Sequence, residues 1–163
     1  MANDDTIRTG TVFVVDDDAA VRDSLTTLLE AYGLAVSAFD SIAAFKQGYR
    51  PHPRACLILD QHMPTMTGLD FLASPESRNM TMPAILITGG SDNDVRAQAK
   101  EIGVFSFLTK PVAGDELMSA IGSALDWSES RREAREQGRE SRLVGVMPRQ
   151  TRGRSTDARK GNH

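Results

Sequence analysis

Strand-length apolar runs alternate strictly with segments of helical periodicity along residues 11–127, and no other feature narrows the fold of this chain as far. The runs cover residues 11–15, 34–39, 55–60, 83–88 and 104–109. They are too short for helices, and Pro51, Pro53 and Pro64 bracket the third. A run without polar alternation suits a strand buried on both faces. Between them lie apolar stripes: Val21, Leu25, Leu28, Leu29 and Tyr32, then Ile42 and Phe45, then Val95, Ala99 and Ile102, and last Leu117, Ile121, Ala124 and Leu125. Asp17 or Asp18 caps the first helix and Gly33 stops it, while Ser41 caps the second and Gly48 breaks it. Residues 69–73 form a short third helix that Pro75 ends, and Ser91-Asp92-Asn93-Asp94 opens the fourth as a capping box, with Gly103 at its close. Such alternation dictates a parallel sheet with right-handed crossovers and helices on both faces, a doubly wound α/β sandwich.

Composition sets the outer limits. A chain of 163 residues, 40% hydrophobic and 25% charged, has material for one core and none for a large second domain. No run approaches the roughly 18 apolar residues of a membrane span. The opening Met-Ala-Asn-Asp-Asp-Thr carries acids where a secretion signal is basic and then apolar, so a cytoplasmic protein with no membrane partner is expected. Cys56 stands alone inside the third run and reads as a small buried hydrophobe without chemistry. Residues 128–163 hold ten Lys+Arg against five Asp+Glu, leaving nine against seventeen in residues 1–127, so a body of charge −8 carries a tail of charge +5. The expected division is a polar leader at 1–10, a folded domain at 11–127 and a basic tail at 128–163. In that tail, mixed charges without an apolar stripe extend the last helix to near Gly138, and disordered chain follows. Trp127 reads as the anchor of the last helix's end, and Met63, Met66, Met80 and Met82 as loop packing.

The strand ends carry the chemistry. Asp16 and Asp17 follow the first strand, Asp60 ends the third, Thr88 ends the fourth and Lys110 follows the fifth. In an open parallel sheet these ends share the rim where ligands bind. Taken singly, Asp16-Asp17-Asp18 is a solvated turn and helix cap, Thr88 a strand terminus and Lys110 a surface lysine; their convergence carries the functional reading. Three carboxylates on one rim repel one another unless a cation sits between them, and oxygen donors without a His or Cys partner favour a hard ion such as Mg²⁺. The His62 side chain has no such partner at ligand spacing and is not read as a metal ligand. A carboxylate can attack a phosphoryl group to form an acyl phosphate where a metal, a fixed cation and a hydroxyl meet its oxygens, and Asp60, Mg²⁺, Lys110 and Thr88 fill those roles.

VVDDD at 14–18, D-x-x-M-P-x-x-x-G at 60–68, ITG at 87–89 and K-P at 110–111, in this order and spacing, resemble the receiver domain of two-component response regulators over about residues 11–127. The resemblance implies a flavodoxin-like receiver with five parallel strands in the order 2-1-3-4-5. It further implies that Asp60 is the phosphoacceptor, that Asp16, Asp17, Asp60 and the backbone carbonyl of His62 hold Mg²⁺, and that Thr88 and Lys110 bind the phosphoryl oxygens. Thr88 and Phe107 would then be the switch residues, the aromatic ring swinging inward on phosphorylation. Phe107 stands where tyrosine is often seen, so its ring would move by packing alone. His62 and Gly90 occupy the two positions that, in the family, line the path of the hydrolytic water.

The function implied is phosphorelay signalling, with a sensor histidine kinase or phosphotransfer protein as donor. Output would pass through the surface of the fourth helix, fifth strand and fifth helix to a downstream protein or a second copy of the chain. An enzyme with a separate substrate is not expected, although self-hydrolysis of the acyl phosphate is compatible with the site. A phosphatase or phosphotransferase of the aspartyl type carries a second acid two residues after its nucleophile, where this chain has His62. The receiver portion, with VRDSL after its acids, most resembles those joined to a LuxR-type helix-turn-helix domain. Met147-Pro148-Arg149-Gln150 resembles the opening of such a domain, yet nothing after Gln150 continues it. The expectation is therefore a stand-alone receiver without specific DNA binding; the alternative is a DNA-binding transcriptional regulator whose output domain is lost or degraded.

Overall fold

Five apolar runs pair into one parallel sheet of order β2-β1-β3-β4-β5, as the alternation and the resemblance together require. The structure is a computed structural model that describes residues 10–90 and 93–152, with side chains in the last helix described as far as residue 138. In chain order the elements are β1 (Thr11–Val15), α1 (Ala19–Ala31), β2 (Ala35–Phe39), α2 (Ile42–Gly48), β3 (Ala55–Asp60), α3 (Gly68–Leu72), β4 (Ala84–Thr88), α4 (Asn93–Ile102), β5 (Ser106–Thr109) and α5 (Gly114–Arg152). The chain divides into two units, Met1–Glu129 and Ser130–His163.

Alternate residues of the central strands β1, β3 and β4 enter opposite layers, which is why these runs are apolar between their end residues, whereas the edge strands β2 and β5 are only partly buried and admit Ser37 and Ser106. Val12, Val14, Cys56, Ile58 and Ile85 meet Leu29 of α1 and Leu117, Ile121 and Leu125 of α5. Phe13, Leu57, Leu59 and Leu86 meet Phe45 of α2, Phe71 of α3 and Val95 and Ala99 of α4. The Phe13 and Phe45 rings lie 5.8 Å apart and those of Phe45 and Phe71 6.0 Å apart, both edge-on. Burying each such ring contributes about 1.5–3 kcal/mol. Burial also pushes the Cys56 thiol up to about 12, which leaves it inert.

Local signals place most boundaries. The Asp18 carboxylate accepts from the Ala20 and Val21 N–H groups, so Asp18 and not Asp17 caps α1. Ser41 accepts from Ala44 N–H at α2. Gly33 (φ 85°) and Gly103 (φ 91°) take the left-handed conformation that ends α1 and α4. Ser91 and Asp92 of the expected capping box lie outside the described residues, as do residues 1–9 of the leader.

Several expectations need correction. Tyr32 and Ile102 belong to the apolar stripes by spacing, yet they are 42% and 38% exposed; Tyr32 is the C-terminal cap of α1 and Ile102 the last residue of α4. Leu34 precedes β2; its N–H closes the end of α1 on the Leu29 carbonyl while its side chain is buried. The fifth strand starts at Ser106, since Val104 N–H bonds back to Ala99 at the end of α4. Pro75 does end α3, but it also opens a further turn of 3₁₀ helix, Pro75–Asn79. The last helix passes Trp127 and Gly138 and is assigned to Arg152, so neither residue marks its end. Within the second unit, Arg132 and Glu136 form an i,i+4 ion pair of 2.9 Å.

One tie had no sequence signal. Arg54, buried just before β3, pairs with Asp126 at 3.0 Å and Glu129 at 2.8 Å, while Ser128 Oγ accepts from Ala55 N–H at 3.3 Å. The first end of β3 is thereby held to α5.

Candidate functional site

Strand register brings the five expected residues to one rim. Val15 pairs with Leu59, Asp60 with Ile87 and Thr88 with Thr109, so the groups at these strand ends emerge at one level. Carboxylate oxygens of Asp16, Asp17 and Asp60 all lie within 4.8 Å of one another. Asp16 and Asp60 are each only 4% exposed, whereas Asp17 faces solvent. Lys110 Nζ sits 3.5 Å from Asp60 Oδ1 and 3.8 Å from Asp16 Oδ2, so one cation opposes three acids. Burial raises the Asp16 pKa; the Asp18 N–H, donating to Oδ1 at 2.9 Å, opposes the shift, Asp60 adds to it and Lys110 lowers it again. Arg22 donates to the Asp16 carbonyl at 2.8 Å and fixes the start of the β1–α1 turn. The cluster is all oxygen and retains negative charge after Lys110 is counted, which fits a hard divalent cation.

The loop after Asp60 is held by its own backbone. Gln61 N–H donates to the Ile87 carbonyl at 2.8 Å, and its carbonyl accepts from Gly68 N–H at 3.1 Å. The buried Gln61 Oε1 accepts from Leu69 N–H at 2.9 Å. Gly68 packs so closely that a Cβ there would lie 2.8 Å from the Asp60 carbonyl oxygen and 2.7 Å from Leu86 Cδ1. The glycine of the D-x-x-M-P-x-x-x-G motif is thus a steric requirement, while the part played by Gln61 was not readable from spacing.

Thr88 is fully buried at the end of β4, and its hydroxyl lies 3.2 Å from His62 Nε2. His62 N–H also points at Asp60 Oδ1, at 3.4 Å. Sequence reasoning assigned the His62 side chain no metal and set it on the path of the hydrolytic water; its contact with Thr88 has no local signal, because the two residues are 26 apart in sequence. Lys110 N–H donates to the Thr88 carbonyl at 2.7 Å, joining the last two strand ends, and the Lys110–Pro111 peptide is cis. Phe107 is half-buried on β5, with the Arg96 guanidinium 4.6 Å above its ring. That contact was also missed.

The profile of the response regulator receiver domain matches residues 12–122. Nodulation protein W of Bradyrhizobium diazoefficiens is 39% identical over 123 residues, covering 76% of this chain and 54% of that protein. The transcriptional regulatory protein FixJ of the same bacterium is 33% identical over 143 residues, covering 86% of this chain and 70% of its own. Among solved structures, the response regulator StyR superposes with a TM-score of 0.75 at 36% identity, over 84% of this chain and 70% of that one. The chain spans about half the length of most of the curated relatives it matches, 54% for nodulation protein W and 51% for the transcriptional regulatory protein TdiR of Thauera aromatica. Among the described residues no helix is long and apolar enough to cross a membrane.

Proposed function

We propose that this chain, which belongs to the receiver-domain family of response regulators, is switched by transfer of a phosphoryl group to Asp60. The observation that carries the reading is the setting of Asp60: a buried carboxylate at a strand end, 3.5 Å from the Lys110 ammonium and inside a three-acid cluster. An Asp60 carboxylate oxygen attacks the phosphorus of a phosphohistidine on the donor; the P–N bond breaks and its electron pair stays on the imidazole. Lys110 faces one phosphoryl oxygen and the Thr88 hydroxyl donates to another. Asp16, Asp17 and Asp60, with the backbone carbonyl of His62, would hold Mg²⁺, which supplies charge neutralisation as the dianion enters. Movement of Thr88 toward the phosphoryl group leaves space into which Phe107 turns, altering the α4–β5–α5 face seen by a downstream partner or a second copy. A groove of about 600 Å³ lined by Val21, Leu25 and Leu28 of α1 and by Val112 and Leu117 reaches Asp16 and Lys110, and it offers the donor protein an apolar seat beside the acceptor.

Labelling by a small phosphodonor tests the assignment. Wild type should take up phosphate at Asp60 only with Mg²⁺, and Asp17→Ala or chelation should abolish the label. Persistent labelling of Asp60→Asn overturns it. A second reading draws on the relatives named as transcriptional regulators, in which the same switch would govern DNA binding. Footprinting separates the readings: a defined protected site upon phosphorylation supports DNA output, and salt-sensitive binding without a site supports output through protein contacts.

A further inference from the structure

We infer that the His62 imidazole is a latch on the switch: it holds the Thr88 hydroxyl in the unphosphorylated protein and must release it before Thr88 can bind a phosphoryl oxygen. The inference rests on the reading of Asp60 as acceptor and adds a positioning residue to it. Thr88 is fully buried, and its Oγ1 has one hydrogen-bond partner in the described structure, His62 Nε2 at 3.2 Å. A buried hydroxyl without a partner is unfavourable, so this contact stabilises the resting position of the very side chain the switch has to move. The hydroxyl has a single proton to donate. In the tautomer whose Nε2 accepts, that proton points at the ring, and forming an O–H···O–P bond breaks the O–H···N bond; in the other tautomer Nε2–H donates to Oγ1, and the 3.2 Å contact holds the hydroxyl oxygen in its resting position.

His62 is well placed for the task. Its N–H, 3.4 Å from Asp60 Oδ1, fixes the backbone beside the acceptor, while its exposed side chain reaches over to β4. The residue thus touches both groups that must come together, one through the main chain and the other through the ring. Release of the ring into solvent leaves the imidazole hydrated, because His62 is already exposed, and the buried Thr88 hydroxyl exchanges it for a phosphoryl oxygen. The equilibrium between resting and switched forms is set in part by one hydrogen bond, whose net strength corresponds to about a fivefold change in the population ratio.

Two measurements on the full chain test the latch. In the metal-free, unphosphorylated protein, Thr88→Val should move the ¹⁵N resonance of His62 Nε2; an unmoved resonance overturns the contact. Titration with beryllium fluoride and Mg²⁺, as a phosphoryl mimic, then reads the equilibrium. His62→Ala should tighten its binding about fivefold, and His62→Gln, whose amide can reach Thr88, should stay near wild type. In the Thr88→Val background His62→Ala should change nothing. An equal effect of His62→Ala in both backgrounds means the ring acts on solvent or charge and sinks the latch. Failure of wild type to bind the mimic counts against the Asp60 reading instead, and the resonance still decides whether His62 holds Thr88.

Discussion

Gly68→Ala separates the tertiary structure from local propensity most sharply, because the two give opposite signs. Gly68 opens α3 and does not lie in the left-handed region, so by local rules alanine should stabilise by about 0.4–1 kcal/mol through lost unfolded-state entropy. The added methyl, however, would stand 2.8 Å from the Asp60 carbonyl oxygen and 2.7 Å from Leu86 Cδ1, where ordinary contact begins at 3.4 Å. Leu86 could turn aside, but a backbone oxygen of β3 cannot move without the strand, so the start of α3 has to retreat by about half an ångström. Overpacking of this kind costs about 1–3 kcal/mol. The net expectation is a loss of about 1–2 kcal/mol, or a fall in Tm of about 4–8 °C for a domain of this size. The retreat also pulls on the loop that returns to Asp60, so Mg²⁺ affinity should weaken. Thermal melts with and without Mg²⁺ measure both effects, and Gly114→Ala, with nothing within 4 Å of its Cβ, is the control. A variant melting at or above wild type with unchanged Mg²⁺ affinity would refute the reasoning.

Lys110→Ala should lower the metal-free stability by about 1–2 kcal/mol, since it leaves the buried Asp16 and Asp60 facing each other without a cation. Saturating Mg²⁺ should shrink that loss, and an equal loss with and without the ion in chemical denaturation would argue against it. Asp16 has a folded-state pKa above 3.8, so the native state holds the extra proton, and metal-free stability should fall as pH rises from about 3.8 through the raised value and level off above it. Asp16→Asn should flatten that part of the Tm–pH curve and raise the metal-free Tm at neutral pH; a curve parallel to wild type would sink the assignment. Arg54→Ala should cost about 1–2 kcal/mol through lost packing and lost pairs to Asp126 and Glu129, and Arg54→Met should recover the packing part. Phosphodonor labelling at Asp60, at the far end of β3, should be unaffected by either change.

The fold class and the residues of the rim were legible in the sequence because they follow from short-range rules. A strand buried on both faces must be apolar along its length, a helix must repeat near 3.6, and a cap must sit at its first turn; 55–59, the stripe from Val21 to Leu29, and Ser41 each satisfy such a rule within a few residues. Convergence of Asp16, Asp60, Thr88 and Lys110 then needs only parallel strands, since parallel strands carry their carboxyl ends to one edge. Side-chain partnerships were decided elsewhere. His62 meets Thr88 across 26 residues, and Arg54 meets Glu129 across 75, where neither spacing nor composition constrains the pairing. Tyr32 and Ile102 have the right period and the wrong place, because periodicity fixes the angle of a side chain around its helix but not whether other elements cover it at the helix end. Gly68 gives the same lesson in reverse: local propensity favours a larger residue there, and only the carbonyl oxygen of Asp60, brought against it by the returning loop, excludes one.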